Sequence, residues 1–101
     1  MTFTINAGTI DNSDGFDGTV NVNGGTLSVN TTAAWGMEGT MNLADTGGST
    51  PSVIGQQMNI SGTINVTGGE SHINSDMVFQ STANVTVEAG SELELNGPVI
   101  Y

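Results

Sequence analysis

The sequence predicts an all-β fold, a single-stranded parallel β-helix (β-solenoid) of about five coils of ~21 residues with three short strands per coil, and three observations predict it. The first is an apolar pair, Val20 and Val22, that alternates with Thr19 and Asn21 as a half-buried strand does. The pair returns as Met41 and Leu43, Ile64 and Val66, and Val85 and Val87, at steps of 21, 23 and 21 residues. The second is a separate series, Phe16, Met37, Met58, Phe79 and Ile100, that advances by 21 residues each time. The third is a Gly-containing corner that follows the strand in several coils and supplies the positive φ of a bend between sheets.

Taken in order, Thr2 to Ile5 reads as a strand with Phe3 and Ile5 on one face, and Asn6-Ala7-Gly8 turns it into Thr9-Ile10. Asp11 to Gly18, rich in acid and Gly, connects this short first coil to the second. There Val22 is followed by Asn23-Gly24-Gly25 and Thr26-Leu27, and Asn30 to Trp35 forms a wider corner before Met37. The third coil carries the inserted material, a loop by composition from Ala44 to Pro51. In the fourth, Gly68-Gly69 leads to Ser71-His72-Ile73 and then Met77 and Phe79. The fifth runs from Val85 through a turn at Gly90 to Leu93, Leu95 and Pro98-Val99-Ile100-Tyr101. Residues 1–101 form one solenoid domain or a segment of a longer rod, and the inward residues define three columns. These are Val20, Met41, Ile64 and Val85; Val22, Leu43, Val66 and Val87; and Phe16, Met37, Met58, Phe79 and Ile100. A right-handed coil is the default for parallel crossovers.

Composition narrows the function. Gly accounts for 15 of 101 residues, Thr for 14 and Asn for 11, which favours turns and strands over helix. Ten Asp and Glu stand against no Lys or Arg, giving a formal charge of -10. Such a surface repels nucleic-acid phosphates and anionic lipid. No apolar run approaches the ~18 residues of a membrane helix, and MTFTINAG has neither the basic start nor the apolar core of a signal peptide. With no Cys, no disulfide or thiolate metal site holds the fold.

The repeated Gly-Thr-hydrophobic-Asn-hydrophobic and Gly-Gly-Thr-Leu signatures, across Thr2 to Leu95, resemble the coils of secreted bacterial adhesins and autotransporter passenger domains, and more distantly β-helical phage tail fibres. The resemblance implies an extracellular or cell-surface rod, a stalk or a binding surface for a glycan or cell-surface ligand. Neither end carries an evident polar cap, and the Lys that often blunts a sheet edge is missing. The expected partner is therefore the remainder of a longer solenoid, or another copy stacked head to tail, a contact that does not close and so yields filaments.

Outward residues predict two polar ranks, Thr2, Thr19, Thr40, Thr63 and Asn84 beside Thr4, Asn21, Asn42, Asn65 and Thr86, about 6.7 Å apart along each strand. A flat Thr lattice of this kind is similar to an ice-binding face. The plainer reading is that Thr suits strands and that stacked Asn amides bond along the rod. No cofactor is required by the pattern. Asp11, Asp14 and Asp17 are candidate Ca2+ ligands, although Ser13 and Gly15 depart from the EF-hand spacing.

Catalysis has little support: pectate-lyase-like β-helices need a Lys or Arg, and Glu92 and Glu94 read as a solvated pair rather than a glycosidase dyad. His72 reads as a surface histidine without a Ser-His-Asp set, and Trp35 as a corner or core residue rather than a sugar-stacking ring. Asn30, Asn59, Asn65 and Asn84 match N-x-[ST] at about the frequency composition alone would give. The expected function is a non-enzymatic structural or adhesive extracellular rod. Behind it stand a self-assembling filament subunit, an ice- or carbohydrate-binding face and, last, a glycoside hydrolase.

Overall fold

The computed structural model describes residues 2–5, 9–11, 18–29, 34–45 and 50–100, with backbone alone for 2–5 and 9–11. Every regular element among them is a β-strand: β1 (Thr2–Ile5), β2 (Thr9–Asp11), β3 (Thr19–Asn23), β4 (Thr26–Val29), β5 (Trp35–Met37), β6 (Thr40–Ala44), β7 (Ser52–Gly55), β8 (Met58–Ile60), β9 (Thr63–Thr67), β10 (Glu70–Asn74), β11 (Met77–Phe79), β12 (Asn84–Val87), β13 (Glu92–Leu95) and β14 (Val99–Ile100). They form three sheets, ordered β1-β3-β6-β9-β12, β2-β4-β7-β10-β13 and β5-β8-β11-β14. All pairings are parallel. The chain is a parallel β-solenoid that visits the sheets in rotation. Its count of complete coils falls slightly short of the expected five, because β1 and β2 have no third-sheet partner among the described residues.

The first sheet repeats the register that the apolar pairs predict. Val20 pairs with Met41, Met41 with Ile64 and Ile64 with Val85, while Val22, Leu43, Val66 and Val87 pair in the same order. The first three members of each column are buried. In the second sheet Leu27, Val53, Ile73 and Leu95 make a further column that the 21-residue interval did not reveal.

The third predicted column is not a column. Met37 pairs with Ile60 and Ile60 with Phe79, whereas Met58 lies between Trp35 and Met77 in the neighbouring row. Ile100 pairs with outward Val78 and is 60% exposed, leaving Val99 as the inward residue of β14. Phe16 lies outside the described residues. Corner lengths explain the failure. The corner from Phe79 to Asn84 is two residues longer than that from Ile60 to Thr63, and a slip of two preserves which face a side chain takes. Met37, Met58 and Phe79 therefore all stay inward-facing in the wrong rows. The Glu88–Ser91 turn, closed by the Ser91 N-H donating to the Glu88 carbonyl at 2.9 Å, adds one residue relative to the corner of the fourth coil. A slip of one reverses the face, and Ile100 turns outward.

Two glycine positions show what the corners demand. Gly24, Gly68, Gly69 and Gly90 adopt φ of 87°, 74°, 77° and 84°, a left-handed conformation that costs other residues energy. At the opposite corner a Cβ on Gly62 would collide with the Gly39 carbonyl oxygen. The Thr40 N-H donates to Gly18 O at 2.8 Å and the Thr63 N-H to Gly39 O at 2.9 Å, so this close stacking repeats. The Gly of the Gly-Thr signature is thus a packing requirement. In the fifth coil Ala83 takes its place, at the longer corner.

The core closes at one end of the described rod only. Val20 and Val22 are fully buried, with β1 paired beside them, whereas Val85, Val87 and Leu95 in the last coil are 38%, 42% and 37% exposed. Burial therefore predicts unequal penalties for the same change. In urea unfolding, Met41→Asn should lose about 3 kcal/mol or more, because it combines lost apolar contact with a buried amide, and Val85→Asn under about 1 kcal/mol. Equal losses would contradict the open end.

Candidate functional site

The outer face of the first sheet holds the two predicted ranks in register. Thr2, Thr19, Thr40, Thr63 and Asn84 pair in one row, and Thr4, Asn21, Asn42, Asn65 and Thr86 in the other. Within the second row the Asn42 Nδ2 donates to Asn21 Oδ1 at 2.8 Å and the Asn65 Nδ2 to Asn42 Oδ1 at 3.0 Å. Each amide can give to one neighbour and accept from the other, so a half-buried polar row satisfies itself along the axis. The amides are thereby engaged in holding coils together.

The outer face of the second sheet gathers chemistry that the sequence left scattered. Strict alternation in Glu70-Ser71-His72-Ile73 buries Ser71 and Ile73 and turns Glu70 and His72 outward. Register then sets Glu92 against Glu70 and Glu94 against His72. The His72 Nε2 lies 2.8 Å from Glu70 Oε1 and 3.4 Å from Glu94 Oε2, with these side chains 30% to 45% exposed. His72 is an outward histidine, as expected, but it is held between carboxylates rather than free in solvent. Glu70 was not singled out from the sequence. The available signal was alignment of two alternating stretches, Glu70 to Ile73 over Glu92 to Leu95.

The chain's one imidazole is thus its only side chain that can become cationic in this acidic cluster. Hydrogen bonding to Glu70, helped by the charges of Glu94, Glu70 and Glu92, raises the His72 pKa despite some opposing desolvation. The same bond to His72, followed by one to Glu94, lowers that of Glu70.

Elsewhere on the surface, successive corners between the second and third sheets stack into an open polar groove lined by Gly55 to Gln57, Asn74 to Asp76 and Asn96 to Pro98. Asn96 Nδ2 donates to Asn74 Oδ1 at 2.7 Å, and Asn74 Nδ2 to Ser52 Oγ at 2.9 Å. No aromatic ring lines the groove, and Trp35 is buried at 4% exposure, as a core residue rather than a sugar platform. Asp14 and Asp17 lie outside the described residues, as does Asn30, and of Asp11 only the backbone, paired with Ser28, is described. Compared with protein-family models, curated proteins and solved structures, the chain matches none.

The two pKa shifts fix a pH dependence with opposite signs. His72, raised above 6.5, stabilises the fold fully below that value and loses its contribution as pH rises through the raised pKa. Glu70, lowered from 4.5, contributes above that value and loses its contribution as pH falls through the lowered pKa. In chelator-treated buffer, the stability difference between wild type and His72→Gln should therefore be largest between about pH 4.5 and 6.5 and shrink at pH 9. A pH-independent difference would contradict the pairing.

Proposed function

We propose that the chain is a non-enzymatic element of an extracellular structural or adhesive rod, and that its fifth coil is a joint onto which another solenoid coil stacks. The observation that carries this reading is the exposure of residues that point into the core in every other coil. Val85, Val87 and Leu95 stand at the open end beside β12, β13 and β14, each an outermost strand of its sheet. A further coil in register would cover these side chains and pair the free backbone edges, by the same parallel contact already repeated within the chain.

The composition supports a role outside nucleic-acid and membrane chemistry, since no Lys or Arg is present to meet phosphate. A non-catalytic role is supported by the parity of β10: Ser71 faces the interior while His72 faces out, so the two cannot form a nucleophile and base pair. The likeness of the Gly-Thr and Gly-Gly-Thr-Leu repeats to adhesin and passenger-domain coils points the same way. Of the other readings, an ice-binding face gains least, because the Asn21, Asn42 and Asn65 amides are spent on one another.

Sedimentation velocity across a concentration series tests the joint. The wild-type chain should self-associate as concentration rises, and Val85→Glu combined with Val87→Glu should return it to monomer while far-UV circular dichroism stays β-rich. Wild type that remains monomeric throughout, or a double variant that associates equally, would contradict the open end as a contact surface.

A further inference from the structure

We propose that Glu70, His72 and Glu94 form a binding site for a transition-metal dication of the Zn2+ class on the outer face of the second sheet. The donor atoms, one imidazole nitrogen and one oxygen from each carboxylate, all lie within 4.8 Å of one another. Zn2+ bonds of about 2.0–2.2 Å to nitrogen and oxygen require tetrahedral donors about 3.3 Å apart. The two separations from His72 Nε2, 2.8 and 3.4 Å, bracket that value, so small side-chain rotations are enough.

The scaffold supplies what an ordinary acidic patch lacks. Glu70 and His72 project from one strand, two residues apart, and Glu94 is the register partner of His72 on the next strand. Ser71 and Ile73, both 0% exposed, anchor the strand between and beside the two ligands. Sites built on paired strands hold their donors more closely than sites on loops. The presence of an imidazole sets the class of ion. Ca2+ takes six to eight oxygen ligands, whereas Zn2+ accepts mixed nitrogen and carboxylate sets and leaves the remaining position to water. Charge favours a cation here as well: Asp45 and Glu92 add negative potential, and no Lys or Arg in the chain competes for the carboxylates. This site is separate from the Asp11, Asp14 and Asp17 corner and independent of end-to-end stacking.

Isothermal titration of the whole chain with Zn2+ at fixed pH and ionic strength tests the assignment, with Ca2+ as competitor. One saturable site is expected, weakened at least tenfold by His72→Ala and by Glu94→Gln, unchanged by Glu38→Gln, and unmoved by equimolar Ca2+. Circular dichroism of each variant separates lost ligation from lost fold. In the unaltered chain, the His72 ring resonances should shift with the same stoichiometry. Absence of a saturable site, equal binding by folded His72→Ala, displacement by equimolar Ca2+, or a silent His72 ring would each overturn the proposal, placing bound metal, if any, on diffuse surface acid.

Discussion

In-register pairing of parallel strands is the constraint on which the rest of this molecule depends. Once Thr19 lies over Thr40 and Thr40 over Thr63, every residue of those strands inherits a neighbour of its own kind one coil away. Apolar side chains then stack into dry columns, and the asparagines between them stack into a chain of amide bonds. Like-on-like stacking is favourable for Val, Leu, Ile and Asn, which explains why the repeat retains those types. It is unfavourable for like charges. Glu70 over Glu92 and Glu94 beside His72 show where the pattern admits acid, on an outward face with an imidazole between two of the carboxylates.

The corners are subordinate to this pairing and absorb its irregularities. Register partners are separated by 21, 23 and 21 residues from β3 to β12, but by 26, 20 and 22 from β4 to β13, as the pairs Thr26 with Ser52, Ser52 with His72 and His72 with Glu94 show. Extra residues go into turns, where backbone groups can reach water or one another, and the strands stay aligned. Corner lengths are therefore loose and strand registers tight.

That contrast explains what could be read from the sequence. The first sheet was legible because Gly-Thr opens three of its strands and fixes where each pair starts. The third sheet was not, because its strands are short, two or three residues each, and follow corners of differing length. An apolar residue every 21 positions gave the right parity for Met37, Met58 and Phe79, the wrong rows, and the wrong face for Ile100. The carboxylate and imidazole cluster was hidden for the same reason: its members come from two strands whose alignment depends on the Glu88–Ser91 turn. The outward placement of His72 needed only local alternation and was visible.

A chain without cysteine offers a direct test of the vertical alignment. Register partners on adjacent parallel strands lie about 4.8 Å apart, within the Cα separation that a disulfide spans, while a shift of two residues takes them to about 8 Å. Thr40→Cys with Thr63→Cys should cross-link rapidly within one molecule under mild oxidation, and Thr40→Cys with Asn65→Cys should not. Equal cross-linking of both pairs, or preference for the second, would contradict the stacked register from which the fold and its surfaces follow.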